Sequence, residues 1–70
     1  MANNQMDSDM RRLAKAGSKA GWEWVLKNSE HFQVFDPNGL LITTVAPRNR
    51  HWRKHFEREV RPFGYPGVAQ

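Results

Sequence analysis

Asp36-Pro37-Asn38-Gly39 falls between two short apolar runs, which predicts a β-hairpin from His31 to Val45 against which both flanks must be arranged. Pro37 presets φ for the second position of a type I turn. Asn38 tolerates the bridge region that follows, and Gly39 takes the left-handed conformation that closes the loop as a bulge. The turn sets the register. With Asp36 opposite Leu40, Phe35 faces Leu41, Val34 faces Ile42, Phe32 faces Thr44 and His31 faces Val45. Side chains alternate between faces, so Phe32, Val34, Leu40 and Ile42 form the expected core face. His31, Gln33, Phe35, Leu41 and Thr43 form the more polar one, with an imidazole at the end away from the turn.

The flanks supply what covers this hairpin. Met6, Met10, Leu13, Ala14 and Gly17 recur at helical spacing, predicting a helix from about Asp7 to Ala16, capped by Asp7 or Ser8 and ended by Gly17. Trp22 to Lys27 alternates Trp22, Trp24 and Leu26 with Glu23, Val25 and Lys27, the pattern of a first strand. Core packing is the expected job of the two tryptophans, since stacking on unpaired bases requires that their face be open. After Pro47 ends the third strand, Trp52, Phe56, Val60 and Phe63 recur among charged neighbours. They predict a second amphipathic helix from about Asn49 to Arg61, stopped by Pro62 and Gly64. The tail from Tyr65 has too little apolar content to fold by itself.

The fold class that follows is α+β in the order α-β-β-β-α, a three-stranded antiparallel sheet with both helices packed on one face. It forms one domain over residues 1–70, with an ordered core of about 7–65 between a frayed N-terminus and a C-terminal tail.

A chain of 70 residues affords one small core and excludes two domains. The absence of cysteine rules out disulfides, thiolate zinc sites and a cysteine nucleophile. No apolar run approaches the ~20 residues that span a bilayer, and the first residues lack the pattern of a secretory signal, so a cytoplasmic protein with no membrane partner is expected. Charge is concentrated near the end. The whole chain carries +4. Between residues 48 and 61, Arg48, Arg50, Arg53, Lys54, Arg58 and Arg61 oppose only Glu57 and Glu59, with His51 and His55 as further potential cations. Such a segment suits a phosphate backbone or an acidic protein surface, and it is equally the composition of a solvated helix face.

The stretch Ser29-Glu30-His31-Phe32-Gln33-Val34-Phe35-Asp36-Pro37-Asn38-Gly39 is followed by a strand, a proline and a basic helix ending Val60-Arg61-Pro62-Phe63-Gly64-Tyr65. It resembles the HicA-type mRNA interferase toxins of toxin-antitoxin pairs, in particular short, phage-encoded members. The resemblance implies a double-stranded-RNA-binding-domain-like fold, endoribonuclease activity on mRNA, and a cognate antitoxin as partner. It also implies a functional histidine at the start of the second strand, usually within Gly-Ser-His. His31 occupies that place, with Asn28 and Ser29 where the glycine and serine stand and Glu30 intervening.

The implied chemistry needs neither metal nor cofactor. An imidazole with a pKa near ~6.5 can act as general base on a ribose 2′-hydroxyl or as general acid toward the leaving 5′-oxygen. Positive charge for the developing phosphorane is available from the second helix, where Arg48, Arg50, Arg53, Lys54 and Arg58 are the candidate RNA contacts. Glu30 can orient His31 or repel phosphate. His51 and His55 have the i, i+4 spacing of metal ligands, but their positive neighbours oppose a cation, so a basic surface is expected of them. Two other functions fit the same residues. One is a non-catalytic nucleic-acid-binding module, and the other a domain whose basic helix docks on an acidic host-protein surface.

Overall fold

The computed structural model describes residues 6–28 and 30–68. Helix α1 spans Ser8–Lys19, strands β1, β2 and β3 span Glu23–Asn28, His31–Phe35 and Leu41–Val45, and helix α2 spans Trp52–Val60, followed by a 3-10 turn at Arg61–Phe63. The strands form one antiparallel sheet in the order β1-β2-β3. This is the α+β fold in the expected α-β-β-β-α order. Met10 and Leu13 of α1, Trp52, Phe56 and Val60 of α2, and Phe32, Val34 and Val45 of the sheet join in a single core, so both helices cover the same sheet face. That face closes over Trp22, which is buried, and Trp24, which packs against the core, and the open platform that base stacking requires is not there.

The hairpin turn forms as its residues dictate. The Gly39 amide donates to the Asp36 carbonyl at 2.9 Å, and Gly39 has φ +86°. Asp36 does more than precede the turn. Its buried carboxylate accepts from the amides of Asn38 and Leu40 at 2.9 and 2.8 Å, so one side chain satisfies the loop's inward-pointing donors. Phe35 faces Leu41 as expected, but beyond it the register differs: Val34 pairs with Thr43, Gln33 with Thr44 and Phe32 with Val45, because a bulge inserts Ile42 as an extra residue in β3. The one-residue slip carries Thr43 and Val45 into the core, where the alternating register had placed Ile42. Ile42 still packs against the core from a partly buried position, whereas Leu40 stands 59% exposed. Val45 against Phe32 buries more apolar surface there than Thr44 would, which accounts for the bulge.

Both helices differ from their predicted limits. The Asp7 carboxylate accepts from the Met10 amide at 2.8 Å, capping α1, but the helix runs through Gly17 to Lys19 before Gly21, at φ +95°, lets the chain turn. Gly17 is needed inside the helix because the Tyr65 ring lies on it: a Cβ there would come within 2.6 Å of Tyr65 Cζ. The Tyr65 hydroxyl donates to the Leu13 carbonyl at 2.7 Å and accepts from Trp24 Nε1 at 2.9 Å. Its ring meets those of Trp22 and Phe56 edge-on at 4.8 and 5.0 Å. The segment beyond Pro62 is thus part of the core, with Tyr65 and Val68 both buried.

Helix α2 starts at Trp52, after a turn in which the Asn49 side chain accepts from the His51 amide at 2.9 Å. Phe63 does not continue the stripe of Trp52, Phe56 and Val60. The 3-10 turn at Pro62 rotates it outward to 52% exposure, with its ring edge against Trp22 at 6.3 Å.

Two predictions follow from the tyrosine's place. Gly17→Ala should lower stability by about 1–3 kcal/mol in urea unfolding, because the new methyl meets a hydrogen-bonded ring. Helix propensity alone argues the other way, favouring alanine by about 1 kcal/mol. Burial also pushes the Tyr65 phenol above its ordinary 10.0, with the Trp24 hydrogen bond pulling the other way. A folded value above the unfolded one means that this stabilisation is complete below pH 10.0 and is lost as the pH rises through the folded value. Tyr65 is the chain's single tyrosine, so phenolate absorbance should titrate above pH 10.0 in the folded protein and return to it in urea.

Candidate nucleic-acid interface

His31 opens β2, and the pairing of β1 with β2 brings Asn28 opposite it. The Asn28 side-chain oxygen accepts from the Glu30 amide at 2.8 Å and lies 3.3 Å from His31 Nδ1. Glu30 does not orient the imidazole by this geometry. Its carboxylate lies 4.0 Å from the Arg48 guanidinium, an exposed pair worth at most about 1 kcal/mol. Asn28 is the residue that sequence reasoning missed. The available signal was an Asx residue two positions before a backbone amide that needs a partner in a tight connection.

The bulged register leaves the end of β3 beside His31, and the short connection from Ala46 then turns back into α2. A cleft of about 320 Å³ results, lined by His31, Thr44 and Val45 on the sheet side and by Asn49, His51, Trp52 and His55 on the helix side. All three histidines of the chain therefore line one cleft. A second hollow, of about 420 Å³, shares His51 and His55 with it and is lined otherwise by Lys54, Glu57, Arg58 and Arg61. Side by side, the two hollows present three imidazoles and the cations of Lys54, Arg58 and Arg61 against the one carboxylate of Glu57, a chemistry that suits an extended anionic chain.

The candidate RNA contacts divide by what they already hold. Arg53 turns toward α1: its guanidinium pairs with Asp9 at 3.2 Å and with Glu57 at 3.1 Å, so it joins the two helices. Arg58 lies 3.3 Å from His55 Nδ1 and 3.9 Å from Glu59, which keeps it on the groove. Arg48 reaches the Glu30 carboxylate at 4.0 Å and lines neither hollow. Lys54 lines the groove, Arg50 is exposed ahead of α2, and neither has an ion pair among the described residues. Among the described residues no group of three or more His, Cys, Asp or Glu side chains is arranged to hold a metal ion. None of the described helices is long and apolar enough to cross a membrane.

Fold and groove together define a small α+β protein with a histidine-lined cleft opening onto a basic helix. Comparison with family models, curated proteins and solved structures finds no match to this chain.

Proposed function

We propose that the protein binds single-stranded RNA along the α2 groove and cleaves it without a metal, His31 acting as general base, in the manner of the HicA-type mRNA interferases it resembles. The observation that carries this reading is the convergence of His31 with His51 and His55 on one cleft, the latter two also lining the neighbouring hollow of Lys54 and Arg58. RNA carries its own nucleophile, the 2′-hydroxyl, so the protein has to supply a base, an in-line geometry and positive charge for the phosphorane. His31 is partly exposed, as a base that meets a polymer must be, and cationic side chains stand along the adjoining helix. On this reading the substrate is mRNA, and an antitoxin is the partner that covers His31.

The test is incubation of a long labelled RNA in EDTA with wild-type protein and with His31→Ala at equal concentration. Wild type should cut, leaving cyclic phosphate and 5′-hydroxyl ends, and His31→Ala should be slower by about 100-fold or more while retarding the RNA equally in a gel at low salt. If neither protein cuts yet both retard the RNA, the protein is a binding module on this fold, and the ribonuclease reading is wrong.

A further inference from the structure

Two of the three cleft imidazoles, His31 and His55, have hydrogen-bond partners that point to where each carries its hydrogen. A carbonyl oxygen only accepts, and the Asn28 side chain is held oxygen-inward because that oxygen already takes the Glu30 amide. The His31 Nδ1 facing the same oxygen must therefore be the N–H, which leaves Nε2 with the lone pair. At His55 the logic reverses. Its Nδ1 faces Arg58, and a guanidinium only donates, so Nδ1 is the acceptor and the ring hydrogen sits on Nε2. His31 Nε2 is thus left to accept and His55 Nε2–H to donate, on two rings that line one cleft.

We infer that this opposed pair recognises a ribose phosphodiester, with His31 Nε2 accepting from the 2′-hydroxyl, His55 Nε2–H donating to a non-bridging phosphoryl oxygen, and Asn28 and Arg58 serving as positioning residues. The inference rests on the ribonuclease reading for its chemistry and deepens it by assigning the cleft to RNA over DNA. As His31 Nε2 takes the hydroxyl proton, the 2′-oxygen forms its bond to phosphorus and the bond from phosphorus to the 5′-oxygen breaks. The leaving oxygen takes a proton from solvent, to which His31 returns its own. No oxidant, metal or net water is consumed. DNA can satisfy His55 but offers His31 no hydroxyl.

Two readouts test this. Imidazole nitrogen-proton correlation spectra, recorded over a series of pH values, show directly which ring nitrogen carries the hydrogen. Wild type should carry its hydrogen on Nδ1 at His31 and on Nε2 at His55. Asn28→Ala should shift the His31 hydrogen to Nε2 and slow RNA cleavage about 10- to 100-fold, the range seen when the partner orienting a metal-bound imidazole is lost, with RNA affinity unchanged. Asn28→Asp, which keeps an acceptor for both the Glu30 amide and the ring, should restore the tautomer and most of the rate. Arg58→Ala should release His55 alone. A wild-type His31 with its hydrogen on Nε2, an Asn28→Ala protein with the tautomer unaltered, or a shifted tautomer with an unaltered rate would each overturn the inference. The two failures separate: wild-type protein that cuts no RNA defeats the ribonuclease reading whatever the tautomers, whereas wrong tautomers in a protein that cuts defeat this inference alone.

Discussion

A single side chain from the end of the chain locks the layers together. Tyr65 lies in the notch that Gly17 leaves in α1, bonds to the Leu13 carbonyl and the Trp24 indole, and packs its ring against Phe56 of α2. Helix, strand and helix thereby share one fixed point. A domain this small has few apolar contacts to spare, so a buried hydroxyl with both its donor and its acceptor role filled adds definition as well as energy. No buried side-chain polar atom among the described residues lacks a partner, which matches a core whose polar groups are placed to be satisfied. The cleft inherits this rigidity, because α2 is seated by Trp52, Phe56 and Val60 on the face that Tyr65 holds closed.

Local chemistry made much of the fold legible. The turn residues Pro37, Asn38 and Gly39 behave as their φ preferences demand, and the stripes of Met10 with Leu13 and of Trp52, Phe56 and Val60 become the two helix faces in the core. What escaped depends on choices between distant partners. Alternation fits Val34 opposite Ile42 and Val34 opposite Thr43 equally well near the turn, and only the competition between Thr44 and Val45 for the place beside Phe32 selects the bulge. Gly17 reads as a helix end because nothing in its neighbourhood mentions Tyr65. The tail reads as a loop because its two buried residues, Tyr65 and Val68, follow no helical or strand period.

The site shows the same division. The basic character of the residues after Arg48 was plain in the sequence, but its use was not. Arg53, equal to its neighbours in composition, is taken up between Asp9 and Glu57, while Arg58 stays on the groove beside His55. The positive neighbours of His51 and His55 pointed to a basic surface and not to a pair of metal ligands, and said nothing of His31. In the fold they line one cleft with His31, at a junction that exists only because the end of β3 leads back into α2 beside the start of β2. Asn28 completes the arrangement through an oxygen shared between a backbone amide and an imidazole, a contact that requires the strands to be paired before it has any meaning.

On the proposed reading RNA lies in the histidine cleft and along α2, and not on the open sheet face. It is tested most directly by titrating a short single-stranded RNA into isotope-labelled protein and following every backbone amide. The largest shifts should fall on His31, Thr44, Asn49, His51 and His55 and extend along α2 to Arg58, and they should weaken steeply with added salt. Shifts centred instead on Glu23, Phe35 and Leu41, at the far end of the sheet, or no shifts at all at low salt, would contradict it.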